Sequence, residues 1–184
     1  MRLSGQDRRF LFLQGPHGPY FHALGRMLER AGAQVWRVGF NRGDRAFWPD
    51  AASYIPYRGS LEHWPEAFSA LIQTRQVTDI VLYGDTRPVH AHAIRLARAA
   101  GLTVHVFEEG YLRPHWVTYE RGGSNGHSRL MTLSLPEMQA ALAQSDMDLP
   151  EAPARWGDMR EHMFYGALYH WFVMTGFWDY RAYR

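Results

Sequence analysis

The sequence predicts an α/β fold, a parallel sheet with helices on its faces. Three observations carry this. Short apolar runs alternate with helix-period segments from residue 10 to residue 110. The connections between them are short and rich in glycine and polar residues. The chain has 184 residues, of which 46% are apolar, so it can bury one core plus an appendage but not two full nucleotide-binding halves.

The elements follow in order. Phe10 to Gln14 reads as a first strand, closed by "GPHGPY". Phe21, Leu24, Met27 and Leu28 recur at helical spacing, and Gly32 stops that helix. "QVWRVGF" (34–40) is a second strand, followed by a polar loop, "NRGDRAFWPD". "LEHWPEAFSALIQTR" (61–75) is a helix with a proline in its first turns. "DIVLYG" (79–84) is a third strand, and "PVHAHAIRLARAAG" (88–101) a helix ended by Gly101. "TVHVFEEG" (103–110) is the fourth strand. Beyond it the alternation fails: "ERGGSNGHSRL" reads as a glycine-rich loop, "LPEMQAALAQSDMDLPEAP" as a short helix running into a linker, and an aromatic helical tail closes the chain, its rings at helical spacing for packing on its own domain.

Composition excludes several chemistries. The chain has no cysteine, so it holds no disulfide and no thiolate metal site. All 20 basic residues are arginine. The lack of lysine removes Schiff-base catalysis and a Walker-type phosphate lysine. With a formal charge of only +2 and no long basic run, no nucleic-acid partner is expected. The apolar run near the N-terminus, Phe10 to Leu13, is far shorter than a signal peptide, and no stretch nears the roughly 20 apolar residues of a membrane span.

In open α/β sheets, ligands bind at the carboxyl ends of the strands. Four loops share that rim: "QGPHGPY", "NRGDR", "GDTRPVH" and "EEGYLRP". The first, with Gly15, His17 and Gly18, is a tight turn or an anion- or sugar-binding turn; its glycine spacing is not that of a dinucleotide fingerprint. The third sets Asp85, Arg87 and His90 around a helix start. There Asp85 serves as an N-cap-like acid, or the group holds a polar substrate and exchanges a proton. His90 and His92 are two apart on a helix and face different ways, so no metal pair is expected. In the fourth, Glu108 either pairs with an arginine such as Arg87 or Arg113 and orders the rim, or one carboxylate acts as nucleophile or base while an arginine takes substrate charge. Asn125 and Ser128 of the glycine-rich loop are candidates for a polyol or phosphate. Neither a cofactor nor a metal ion is expected.

"FLFLQGPHGPYF", "FNRGDRAFWP", "YRGSLEHWP" and "VLYGDTRPVHAHAIRLARAAGLTVHVFEEGYLRPHWVTYERGGSNGHS" occur in one order, and from about residue 10 to 128 they closely resemble the capsule polysaccharide biosynthesis/export family of the KpsS/LipB type. The resemblance implies a bacterial retaining β-Kdo glycosyltransferase with a CMP-Kdo donor and a (lyso)phosphatidylglycerol or Kdo acceptor. It implies work at the cytoplasmic face of the inner membrane, beside other capsule assembly proteins. It implies a GT-B arrangement of two Rossmann-like halves. Carried onto this chain, the acid before glycine is Glu109, with Glu108 beside it, as nucleophile. Asp85, Arg87 and His90 match the family's "GDxRPxH" element. Arg87 and Arg113 are then clamps for the Kdo carboxylate or acceptor phosphate, and His90 or Asp85 the acid/base. The family's second half carries a His-Pro motif and a serine for the CMP moiety, and no His-Pro occurs here. The chain therefore reads as the acceptor-side half: a Rossmann-like domain over 1–135, then a helical segment over 136–184 leading to an absent CMP-binding domain, which a separate C-terminal-half polypeptide would supply. The alternative is a non-catalytic lipid- or partner-binding remnant.

Overall fold

The computed structural model describes residues 7–110, 116–144 and 157–176. A six-stranded sheet runs β3-β2-β1-β4-β5-β6, where β1 is Arg9–Phe12, β2 Gln34–Gly39, β3 Tyr54–Pro56, β4 Asp79–Tyr83, β5 Thr103–Glu109 and β6 Val117–Arg121. The first five strands are parallel, and β6 pairs antiparallel to β5 with Phe107 opposite Tyr119. The fold is Rossmann-like. Its strand order reverses between β1 and β4, the switch point at which open α/β sheets leave a crevice for ligand.

Strand parity divides the core. Leu11 and Leu13 point to one face and join Phe68, Ile80, Leu82, Val89 and Val106 beneath α3 (Trp64–Thr74) and α4 (Pro88–Ala99). Phe10 and Phe12 point to the other and meet Phe21, Val35, Trp48 and Phe107 beneath α1 (Tyr20–Arg30). At the amino ends of the strands Asp79, 1% exposed, binds His105 Nε2 at 2.8 Å and Arg8 Nε at 2.8 Å. Burial alone would raise that carboxyl, but the hydrogen bonds from His105, Arg8 and Thr78 together outweigh it and hold its pKa down to about 2.

The structure departs from the sequence reading at three places. The polar loop after β2 contains a short helix, α2 (Arg42–Ala46), because Asn41 Oδ1 caps it by accepting from Asp44 N at 2.9 Å. Three residues, Tyr54–Pro56, add β3. The stretch before the glycine-rich loop is strand β6, whose Tyr119 hydroxyl meets His105 Nδ1 at 2.7 Å and whose ring lies 4.9 Å from that of Phe107.

Beyond the sheet, α5 (Leu135–Ala143) starts with a reciprocal Ser134/Glu137 capping box. The linker expected after it falls outside the described residues. The last described helix, α6 (Arg160–Thr175), packs on α2 and the β1 loop. Its inner stripe carries Tyr165, Tyr169 and Val173 against Phe47. A Cβ on Gly43 would lie 2.5 Å from the Tyr169 ring, so α2 and α6 approach this closely only with glycine there. Among the described residues no helix is long and apolar enough to cross a membrane.

Candidate functional site

The loops after β1 and β4 diverge at the switch point, and a cleft opens between them. It consists of two adjoining hollows. One, of about 390 Å³, is lined by Gly15, His17, Tyr20, Arg87, Glu109 and His162 among others. The other, of about 360 Å³, is lined by Gly84, Thr86, Glu108, Thr118 and Asn125 among others. Tyr83, Arg87 and Glu109 border both.

The two adjacent acids have different surroundings. They are neighbours on β5, so their side chains leave the strand in opposite directions. Glu108 Oε1 accepts from Ser124 Oγ at 2.8 Å, and its Oε2 accepts from Asn125 Nδ2. Its partners therefore come from the glycine-rich loop, and no arginine among the described residues pairs with it. Glu109 faces the larger hollow, with its side chain 34% exposed and His162 Nε2 at 3.7 Å.

Arg87 is exposed at the mouth, and its Nη1 donates to Gln14 Oε1 at 2.6 Å. Gln14 Nε2 in turn donates to Tyr169 Oη at 3.0 Å, as does Asn41 Nδ2 at 2.9 Å. One phenol on α6 thus ties the loops after β1 and β2 together and steadies the arginine of the β4 loop. Burial and the Asp44 carboxylate push that phenol well above its usual pKa, so it stays protonated. Tyr169→Phe leaves the buried Gln14 and Asn41 amides without this acceptor. We expect it to cost about 1–3 kcal/mol in urea unfolding and to speed amide exchange in α6. A variant as stable as the parent would remove Tyr169 from this role.

His17 stacks on Tyr169 at 4.3 Å and lies edge-on to His170 at 5.0 Å. Partial burial, then the nearby His170, Arg87 and His162, push it down to about 4. It is neutral at pH 7 and able to accept a proton.

The other candidate residues sit beside or beneath the cleft. Asp85 does not cap α4: the N-cap is Arg87, with no side-chain cap bond. Instead Asp85 Oδ2 accepts from Ser124 N and His127 Nδ1, both at 3.0 Å, and anchors the glycine-rich loop. His90 is 0% exposed and Nδ1 meets the Gly84 carbonyl at 2.7 Å, which makes Nδ1 the protonated nitrogen. Set below the rim, it is placed to position the β4–α4 turn, not to reach a substrate in the cleft. Ser128 Oγ donates to Glu120 Oε2 at 2.5 Å and accepts from Leu130 N at 3.1 Å, capping a 3₁₀ turn. Gly18 has φ +109° and turns the chain into α1, while Gly15 is packed on the Phe21 ring. Arg113 lies outside the described residues. His162, on α6, was missed by the sequence reading, since only the packing of α6 brings it to Glu109.

Burial lowers the His90 pKa to about 4, against smaller opposing effects that include the Gly84 hydrogen bond. The unfolded imidazole, with its usual pKa near 6.5, binds a proton that the folded one refuses. Stability is therefore full above about pH 6.5 and falls as pH drops toward 4, by up to roughly 1.4 kcal/mol per pH unit from this group. His17, depressed to about 4, acts with the same sign in the same window, and Asp79 does so only at lower pH, between its usual range and about 2. Urea unfolding at about pH 7.5, 5.5 and 4.5, across that window, checks this. A flat profile would contradict the buried neutral state.

A family described as capsule polysaccharide biosynthesis protein matches residues 78–166, from the end of the α3–β4 connection into α6. The chain is 40% identical over 128 residues to the capsule polysaccharide export protein KpsS of Escherichia coli. The chain belongs to the capsule polysaccharide biosynthesis family. It is also 36% identical over 121 residues to the capsule polysaccharide modification protein LipB from two Neisseria meningitidis strains, of serogroups A and B. The KpsS match covers 70% of this chain and 32% of KpsS, and the LipB matches cover 65% and 29%. The matches thus span about a third of the length of these curated relatives.

Proposed function

We propose that this chain contributes the acceptor-side half of a retaining β-Kdo transferase in capsular polysaccharide biosynthesis. It would move Kdo from CMP-Kdo onto a (lyso)phosphatidylglycerol or Kdo acceptor at the cytoplasmic face of the inner membrane. The carrying observation is that Glu109 stands in a cleft at the sheet's switch point beside Arg87, His17 and His162, while Glu108 is tied to the glycine-rich loop. In a double displacement, the Glu109 carboxylate bonds to the anomeric carbon as the CMP phosphate leaves with its electron pair. The acceptor oxygen then displaces Glu109, losing its proton to a base. Two inversions give retention. Neutral His17 is suited to take that proton, and Arg87 to hold the sugar's carboxylate. The CMP subsite would be supplied by a C-terminal half.

The test is incubation with CMP-Kdo and a lysophosphatidylglycerol analogue, with and without a separately expressed C-terminal half, followed by mass spectrometry. Kdo-bearing product only when both halves are present is the expected result. A second reading, a non-catalytic binding module, draws on the outward face of α6, where Met163 and Trp171 are each 67% exposed. Absence of product in both tubes, with the chain folded, favours it.

A further inference from the structure

A second cavity, of about 480 Å³, opens on the same edge of the sheet at the carboxyl ends of β2 and β3. Arg42, Arg45 and Arg58 line it together with Tyr54 and Tyr57, and among the described residues no acidic side chain does. Asp44, the acid next to Arg45, is 0% exposed and turned inward: its Oδ1 takes Arg37 Nη2 and its Oδ2 the Phe40 N–H. It therefore does not offset the charge of the cavity. Neither Arg45 nor Arg58 forms an ion pair among the described residues. In a chain with a net charge of only +2, this is a local excess of positive charge.

The walls are fixed rather than loose. Arg45 donates to the Trp48 carbonyl, and its guanidinium lies 5.2 Å over the Tyr54 ring. Tyr57 donates its hydroxyl to Ser60 O at 2.6 Å. A Cβ on Gly39 would lie 1.8 Å from the Tyr54 hydroxyl, and one on Gly59 would lie 2.5 Å from that of Tyr57. Glycine at both positions thus leaves room for the two rings that bound the cavity.

We propose that this cavity is a phosphate-ester site, separate from the Glu109 cleft. A carboxylate is filled by one bidentate guanidinium, whereas a phosphoryl group offers oxygens on several sides and can take forks from several arginines. The tyrosine rings suit the apolar or polyol part of the ester. The site does not depend on the transfer chemistry proposed for Glu109.

The probes are inorganic phosphate, glycerol 3-phosphate, and phosphatidylcholine vesicles with or without phosphatidylglycerol. Titration followed by arginine Nε–Hε NMR should shift the Arg45 and Arg58 signals. Arg45→Gln and Arg58→Gln should each weaken binding about tenfold or more, the scale of a lost charge-assisted hydrogen bond. Arg58 is exposed and carries no structural hydrogen bond among the described residues, so its variant keeps the test valid should Arg45→Gln unfold. Arg30→Gln, on exposed α1, should bind as the parent does. Loss confined to the soluble esters makes a free phosphate ester the ligand, and loss extending to phosphatidylglycerol vesicles makes it a lipid headgroup. Unchanged binding in both cavity variants, or an equal loss in Arg30→Gln, overturns the proposal.

Discussion

Glu109→Gln is expected to abolish sugar transfer in the reconstituted reaction, by at least about 10³-fold, as the loss of a covalent nucleophile does in other enzymes. The amide keeps the shape and much of the hydrogen bonding of the acid but cannot form the glycosyl ester. The side chain is one-third exposed at the end of β5, so unfolding free energy should stay within about 0.5 kcal/mol of the parent. Glu108→Gln should behave differently. Its carboxylate accepts from Ser124 and Asn125, so the substitution loosens the glycine-rich loop and reduces turnover indirectly. If Glu108→Gln were inactive and Glu109→Gln fully active, the two acids would have to exchange roles.

The largest stability effect should come from Arg37→Ala. Arg37 and Asp44 are 1% and 0% exposed and meet at 2.9 Å between β2 and α2. Removing the guanidinium leaves Asp44 as a buried, uncompensated charge, at a cost of about 3–5 kcal/mol, a large share of a typical 5–15 kcal/mol of total stability. The loss should reach the cleft as well. Asp44 is also the acceptor for Tyr169 Oη at 3.5 Å, and Tyr169 secures Gln14 and, through it, Arg87. Combining Arg37→Met with Asp44→Asn removes both charges while keeping an acceptor for Phe40 N–H, and should recover more than half of the loss. Urea unfolding of the three proteins checks this. A loss under about 1 kcal/mol for Arg37→Ala would show that the pair is not what fixes α2.

What the sequence made legible was local. Strand–helix alternation, the glycine stops at Gly32 and Gly101, and the loops on the carboxyl edge all follow from patterns spanning fewer than about 15 residues, the reach of hydrophobic periodicity. So did the placing of the paired acids at a strand end. Two further points were within reach. Adjacent residues on a strand point to opposite sides, which separates Glu108 from Glu109. His90 shares a helical face with Ala93 and Ala97, both buried, which marks it as a core residue.

The rest depended on distant packing. Tyr169 and Asn41 are 128 residues apart in sequence, and nothing local in "FYGALYHWF" tells which of its aromatic rings faces inward. The same holds for His162, which meets Glu109 only because α6 docks on α2. β6 reads as polar because it is an edge strand with one face to solvent, and only its partner β5 gives Tyr119 a place. The α2 helix is too short and too polar for periodicity, and owes its existence to one cap and one buried ion pair.

The most direct measurement is mass spectrometry of the rapidly quenched reaction, with both halves and CMP-Kdo but no acceptor. A Kdo adduct on the β5 peptide, assigned to Glu109 and absent in Glu109→Gln, is the expected result. An adduct on another residue, or full turnover by Glu109→Gln, would contradict it.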